Sequence, residues 1–222
     1  MLVALTAQNT TAVTAIHELP SEFVVAQLDA VFDDIGVDGA KTGMLFSRRL
    51  IETVADFLEE HRVPLVVDPV MVASSGAKLL EDEAVDALVG RLFPLATVVT
   101  PNLHEAEALA GGPAPKPDLA ERILELGAAA VVVTGGHGDP VDHLFDGVEH
   151  VEITVLRHDV AATHGAGCTH SATLAALLAR GQTLDEAARG AAEAAARAVA
   201  NGLPELGAGD GPVDVLDVKG RA

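Results

Sequence analysis

The segment best suited to chemistry is a run of small residues that leads into an apolar helix. It reads Thr163-His164-Gly165-Ala166-Gly167-Cys168-Thr169-His170-Ser171. Small residues let backbone N–H groups turn towards one point, and a helix N-terminus adds partial positive charge. Helix N-termini are among the places where reactive cysteines occur. The segment therefore predicts an anion-binding turn with a reactive side chain, Cys168, beside it.

Three other interpretations of this segment stay open on the residues alone. The glycines could serve only as a turn before the helix, with Cys168 as a small buried filler. A zinc site would need His164, Cys168 and His170 to converge across one helix start. A cysteine hydrolase would need a histidine base from elsewhere in the chain. The candidate bases follow no recognisable signature: His17, His61, His104 and His137.

Polar clusters also follow the apolar runs of the chain. They are Ala7-Gln8-Asn9, Asp68-Pro69-Val70-Met71, Thr100-Pro101-Asn102 with Glu105, and Gly135-Gly136-His137. Each cluster alone is typical of a turn or a cap. In an open parallel sheet, however, ligands bind beyond the carboxyl ends of the strands. Together the clusters put Asp68, Glu105 and the amide of Asn102 on one rim, where oxygen ligands could hold a magnesium ion that carries triphosphate.

The elements that must position these residues alternate along the chain. Short β-branched runs predict strands at 2–6, 65–67, 97–100 and 128–133. Segments of helical period predict helices at 21–32, 49–60, 81–92, 104–110, 119–126, 167–179 and 185–200. Residues 143–145 and 148–155, separated by Asp146-Gly147, predict a hairpin. Because the strands are apolar throughout, both sheet faces must be covered, which indicates a parallel sheet between helical layers.

Composition limits the classes of function. The chain has 222 residues, 49% of them apolar, and a formal charge of −19. This length and apolar content suit one domain over residues 1–222. The negative charge repels phosphate backbones and anionic lipid, so we expect neither a nucleic-acid nor a membrane partner. No apolar run approaches the ~18–20 residues of a membrane span. The lone Cys168 excludes an intrachain disulfide and suits a reducing cytoplasm, where we expect the protein to act.

Several motifs resemble, in order and spacing, the hydroxymethylpyrimidine and phosphomethylpyrimidine kinases of thiamine biosynthesis, which belong to the ribokinase superfamily. The resemblance runs from Ala4 to about Asp214. The most specific part of the resemblance combines Ala-Gln-Asn, Lys-x-Gly-Met and the cysteine after the glycine turn. The cysteine is informative because sugar kinases of the superfamily carry Asp at the position of Cys168. The motifs are Thr6-Ala7-Gln8-Asn9-Thr10, Lys41-Thr42-Gly43-Met44, Val67-Asp68-Pro69-Val70-Met71, Thr100-Pro101-Asn102-Leu103-His104-Glu105-Ala106, Gly135-Gly136-His137 and Thr163-His164-Gly165-Ala166-Gly167-Cys168-Thr169.

This resemblance implies a ribokinase-like three-layer αβα sandwich with a mainly parallel central sheet. It implies ATP-dependent phosphorylation of 4-amino-5-hydroxymethyl-2-methylpyrimidine and then of its monophosphate, with Mg²⁺ and ATP as the required small molecules. It further implies a homodimer. Pyridoxal kinases are similar proteins, and because their substrate is also a small heterocycle with a hydroxymethyl arm, the sequence leaves pyridoxal as the alternative substrate.

The resemblance also assigns roles to individual residues. It implies that Cys168 takes the proton of the substrate hydroxymethyl group as that group attacks the γ-phosphorus of ATP. The remaining roles it implies are an anion hole of Gly165, Ala166, Gly167 and Cys168; a pyrimidine pocket lined by Gln8, Met44 and Val70; nucleotide contacts from Asn102, Thr134 and Gly136; and magnesium ligands, through water, at Asp68 and Glu105.

The chain departs from the family pattern at three points. The family normally opens with a strand, a Gly- and Ser-rich turn and a helix, whereas this chain begins inside the second strand, so we expect the first βα unit to be missing. A start site assigned too late and a truncated gene both explain this, and truncation leaves open a non-catalytic homologue. Thr134 stands where relatives usually carry Lys, which removes a cation near the phosphates. Ala166 replaces the usual Thr, with a mild effect because the hole uses backbone N–H groups.

Overall fold

A computed structural model of the chain describes residues 1–72, 79–135, 140–218 and 220. Within these residues the helices alternate with strands, as the periodicity predicts. The helices are α1 (Ser21–Asp34), α2 (Arg48–Glu60), α3 (Asp82–Ala87), α4 (Leu103–Leu109), α5 (Lys116–Leu124), α6 (Ala166–Ala179) and α7 (Leu184–Ala200). None of the described helices is long and apolar enough to cross a membrane.

The main sheet of the described chain has six strands in sequential order. The first four strands run parallel, and the last two form the predicted antiparallel hairpin. The carboxyl ends of the parallel strands therefore share one rim. The strands are β3 (Ala40–Thr42), β4 (Leu65–Val67), β5 (Val98–Val99), β6 (Val131–Val133), β7 (Val141–Phe145) and β8 (His150–Thr154).

Helices cover the sheet on both faces. Alternate residues of a strand point to opposite faces, and here Val67 joins the core beneath α1 to α5 while its neighbour Val66 joins the core beneath α6 and α7. In the same way Val131 and Val132 face opposite layers. All four side chains are fully buried, which is why these strands lack polar alternation. The predicted α/β sandwich with a mainly parallel sheet is confirmed.

The N-terminal strand differs from the prediction. β1 (Ala4–Gln8) pairs antiparallel with β2 (Val13–Glu18) in a separate two-stranded ribbon, not in the main sheet. The Asn9 side chain accepts the N–H groups of Thr11 and Ala12, which turns the chain back on itself. Most ribbon residues are exposed. The prediction that residues 2–6 open the parallel sheet is therefore wrong, because a local turn provides the strand with a nearer partner.

Two further elements depart from the predicted pattern. β3 was not predicted, because three residues are too short for a periodic signal. The single helix predicted over 81–92 is α-helical only over Asp82–Ala87; a π-helical turn, Leu88–Leu92, and a 3₁₀ turn, Phe93–Leu95, follow it. Pro94 lies in the 3₁₀ turn, and because proline lacks an N–H and clashes with the preceding turn, it prevents a regular continuation.

Candidate active site

The N-terminus of α6 lies open at the rim of the sheet. Gly165 caps the helix with φ 92° and ψ 1°, a left-handed conformation that favours glycine, and no side chain caps this end. Gly167 and Cys168 occupy the first turn and are exposed. First-turn N–H groups have no helical carbonyl to bind. This end of α6 is therefore open, and its anion-binding role stays a prediction, whereas the interpretation of Cys168 as a buried filler is wrong.

Asp68 connects the end of β4 to α6. Its buried carboxylate accepts a hydrogen bond from the Ser171 hydroxyl, with Oγ 2.8 Å from Oδ2. The same oxygen lies 3.4 Å from Lys41 Nζ at the end of β3. Ser171 follows Cys168 by one helical turn, so the anion-binding end of α6 and the predicted magnesium ligand are joined by one hydrogen bond. The sequence analysis assigned no role to Ser171 or Lys41.

Glu105 is buried and engages two backbone amides. One carboxylate oxygen accepts the Asn102 N–H at 3.0 Å, and the other accepts the Met71 N–H at 3.3 Å. The Asn102 side chain in turn accepts the Glu105 N–H, which completes a capping box at the start of α4. Burial, together with the negative charge of Asp68, raises the pKa of Glu105 to about 7, although the hydrogen bonds from Asn102 and Met71 oppose that rise.

Two of the three residues predicted to contact the nucleotide, Asn102 and Thr134, lie just beyond the ends of β5 and β6. Thr134 forms an isolated parallel bridge with Asn102, and its N–H donates to Pro101 O at 2.9 Å. The Gly135 N–H donates to Asp142 Oδ1 at 2.6 Å. Asn102 and Thr134 therefore adjoin on the rim. Gly136, together with His137, lies outside the described residues.

The three predicted pyrimidine contacts lie on different elements. Met44 follows β3 and is half-buried, lining a cleft of about 360 Å³ with Lys41 and Gly43. Val70 follows β4, is half-buried, and donates its N–H to Asp68 O at 2.8 Å. Met44 and Val70 thus come from the ends of the neighbouring strands β3 and β4, and their role in a pyrimidine pocket stays a prediction.

Gln8, by contrast, is exposed at the end of β1 and belongs to the ribbon. The turn of the ribbon reaches the C-terminal loop, where the Gly209 N–H donates to Thr10 Oγ1 at 3.2 Å. That loop also pairs with the α6 approach, since His164 forms a parallel bridge with Pro212. The ribbon is therefore linked to the anion-binding end through residues that the sequence analysis did not identify.

The zinc and hydrolase interpretations lack support in the described part of the chain. No three His, Cys, Asp or Glu side chains there could hold a metal together. His170 is buried and faces Asp142, with Nε2 3.5 Å from Oδ2, whereas Cys168 is exposed. The predicted zinc ligands thus lie in different environments. Among these residues no hydrogen bond joins a histidine to the Cys168 thiol.

A second cleft, of about 480 Å³, lies between β8 and α7. Its apolar wall includes Ile153 and Val155, and Arg189, Arg197 and His158 provide polar groups. The Val155 N–H donates to Pro140 O at 2.8 Å, so the cleft adjoins Pro140, just before β7. No local pattern in the sequence indicates this cleft, because β8 and α7 are distant in the chain.

The family and the individual proteins that this chain resembles agree with one another. Residues 1–214 match the family described as phosphomethylpyrimidine kinase. The hydroxymethylpyrimidine/phosphomethylpyrimidine kinase of Rhizobium meliloti (strain 1021) is 46% identical over 224 residues, which cover 96% of this chain and 84% of that protein. The thiamine biosynthesis bifunctional protein ThiED of Geobacter sulfurreducens is 47% identical over 233 residues. That similarity covers 100% of this chain, which spans 47% of the longer protein.

The fold also resembles that of a solved kinase. An ADP complex of Bacillus subtilis pyridoxal kinase superposes with a TM-score of 0.85 and 37% identity, covering 98% of this chain and 84% of that one. The architecture is accordingly ribokinase-like, as the motifs predicted.

Proposed function

The chain belongs to the phosphomethylpyrimidine kinase family, and from this premise we propose that it transfers the γ-phosphoryl group of ATP to 4-amino-5-hydroxymethyl-2-methylpyrimidine and then to the monophosphate. The observation that carries the proposal is the hydrogen bond of 2.8 Å between Ser171 and Asp68. It holds a buried carboxylate beside the uncapped helix end that bears Cys168. Phosphoryl transfer needs this combination of metal-binding oxygen, amide donors and proton acceptor.

In the proposed mechanism the backbone at the start of α6 stabilises the transferring group. The N–H groups of Gly167 and Cys168 donate to the phosphoryl oxygens as negative charge develops on them, in a turn shaped by Gly165 and Ala166. The Cys168 thiolate accepts the proton of the substrate hydroxymethyl group as its oxygen attacks phosphorus. The new O–P bond forms as the bond to the ADP oxygen breaks, so the charge passes to ADP.

Asp68 and Glu105 fit a magnesium site. Mg²⁺ is usually bound by one or two carboxylates together with water and substrate phosphates. The pKa of Glu105 is raised because this carboxyl is buried beside the negative charge of Asp68. A divalent cation there would reduce the electrostatic repulsion between the two carboxylates. Bound there, the ion would neutralise the triphosphate and hold it near the rim. Because both Glu105 oxygens already accept backbone amides, we assign Glu105 a contact through water, and Asp68 likewise.

We assign the nucleotide to the rim that leads from Asn102 and Thr134 towards the cleft between β8 and α7. The apolar walls of that cleft suit a purine ring, and Arg197 and His158 line it as polar groups beside Glu193. Gly136 keeps its proposed nucleotide contact, although it lies outside the described residues. Gln8, Met44 and Val70 are proposed to line the pyrimidine pocket, with Gln8 brought over the rim by the ribbon.

The direct test is product formation by the purified chain with ATP and Mg²⁺. We expect the hydroxymethylpyrimidine to yield first the monophosphate and then the diphosphate, measured by mass spectrometry alongside release of ADP. Cys168→Ala is the matched control for a contaminating kinase. Pyridoxal is the necessary competitor, since the similar fold of a pyridoxal kinase favours it as a second substrate. Phosphorylation of pyridoxal without the pyrimidine would overturn the proposal in favour of a vitamin B6 kinase.

We also propose that the chain acts as a single kinase domain, in the cytoplasm, and as a homodimer. The location is supported by the need for ATP and by the lone thiol, which a reducing compartment keeps free. The dimer is supported only by the family resemblance.

A further inference from the structure

We propose that His170 and Asp142 form a positioning pair that holds the start of α6 against Gly135 at the end of β6, and so keeps the proposed anion-binding end of α6 in register with the sheet during phosphoryl transfer. The inference rests on the proposed kinase function. It concerns residues to which neither the motifs nor the magnesium site assign a role.

The geometry joins three elements through one carboxylate. Asp142 lies on β7, and its Oδ1 accepts the Gly135 N–H at the end of β6 at 2.6 Å. Its other oxygen, Oδ2, lies 3.5 Å from Nε2 of His170 on α6. Asp142 and His170 are both at most 4% exposed. One side chain thus links the Gly135 turn with the helix that carries Cys168.

The stability of the fold does not by itself explain a histidine and an aspartate at these buried positions. Neither ring nitrogen of His170 has a hydrogen-bond partner among the described residues, and 3.5 Å exceeds the usual N–H···O distance. A buried polar group without a partner destabilises a fold, so an apolar side chain of similar volume would pack there at least as well. Burial lowers the pKa of His170 despite the opposing charge of Asp142. The neutral ring can therefore direct one N–H towards Asp142.

The position of His170 in α6 connects the pair to the groups that take part in the reaction. The next residue, Ser171, binds Asp68 at the end of β4. Consecutive residues of α6 thus face two carboxylates, one at the end of β4 and one on β7. Their two directions fix the rotation of the helix about its axis, and with it the N–H groups of Gly167 and Cys168. In-line transfer depends on that orientation, and misplacement by about 1 Å can lower a rate ~10²-fold.

The test compares two substitutions of His170. His170→Leu fills the space but cannot donate, whereas His170→Gln offers an amide N–H near the position of Nε2. We expect His170→Leu to unfold at the same or higher denaturant concentration than the wild type, yet to lose about 10- to 100-fold in kcat with a smaller change in KM for the pyrimidine. We expect His170→Gln to retain most of kcat. Leu174→Val, one turn further along the same buried helix, should lower stability while leaving kcat per folded molecule unchanged.

Two results would overturn the pairing. The first is full turnover of a folded His170→Leu enzyme, which would make the imidazole a core filler. The second comes from ¹⁵N NMR of the imidazole: we expect the proton on Nε2 in the wild type and a changed tautomer population in Asp142→Asn. The same tautomer in both proteins would remove Asp142 as the partner. Absence of kinase activity in the wild type would instead contradict the proposed function, and the NMR result would still test the pair.

Discussion

Replacing Glu105 with Gln should flatten the pH dependence of stability. In the folded protein the pKa of this carboxyl is raised from 4.5 to about 7, first by burial and then by the charge of Asp68. The folded state therefore binds the proton more tightly than the unfolded chain does. The stabilisation is fully present below pH 4.5 and is lost as the pH rises through about 7.

The size of the effect follows from the two pKa values. Between pH 5 and pH 8 the linkage relation gives a loss of about 2–3 kcal/mol of unfolding free energy from this group. Glu105→Gln has no such proton to lose. The substitution also removes one acceptor for the Met71 or Asn102 N–H, which should cost about 1–3 kcal/mol at every pH. That loss lowers the unfolding free energy by the same amount at every pH, so it does not change the slope of unfolding free energy against pH.

Urea unfolding at a series of pH values measures the slope directly. The wild type should lose about 2–3 kcal/mol more unfolding free energy than Glu105→Gln between pH 5 and pH 8. Glu107→Gln, a substitution of a more exposed carboxylate in the same helix, is the control and should follow the wild type. Added Mg²⁺ should reduce the wild-type slope, because a cation at Asp68 and Glu105 favours the ionised carboxyl. Parallel curves for wild type and Glu105→Gln without Mg²⁺ would refute the reasoning.

Three further predictions concern the anion-binding turn and the assembly. Cys168→Ala should lower kcat by ~10²–10⁴-fold with little change in KM for ATP. Cys168→Asp should retain more activity than Cys168→Ala, and Cys168→Ser should fall between these two. Steady-state kinetics measure the differences, and wild-type turnover of Cys168→Ala would falsify the catalytic role. Gly165→Ala should cost about 1–2 kcal/mol of unfolding free energy because φ is 92°, whereas Gly90→Ala, with open space around it and no positive φ, should be neutral in the same denaturation experiment. In sedimentation at moderate salt the chain should be a dimer, and a monomer at micromolar concentration would contradict that prediction.

The sequence alone determined the layered fold and most of its helices. Continuously apolar strands such as Leu65–Val67 cannot leave either face in water, so two covering layers follow from hydrophobicity alone. Apart from the helix predicted over 81–92, the helices begin and end close to the predicted positions, because periodicity and local caps such as Asn102 act within a few residues. The anion-binding turn was also predictable, since Gly165 and the small residues after it specify a local backbone geometry.

Only the tertiary structure decided which side chains meet. Ser171 and Asp68 are separated by 103 positions in the chain, and no local pattern encodes their hydrogen bond. The same holds for Lys41 beside Asp68, and for His170 facing Asp142. The ribbon shows the converse: residues 2–6 have the composition of a core strand, yet a local turn pairs β1 (Ala4–Gln8) with Val13–Glu18. Strand pairing and buried polar contacts depend on the surface that each segment meets after the chain collapses, and that surface is assembled from distant parts of the sequence.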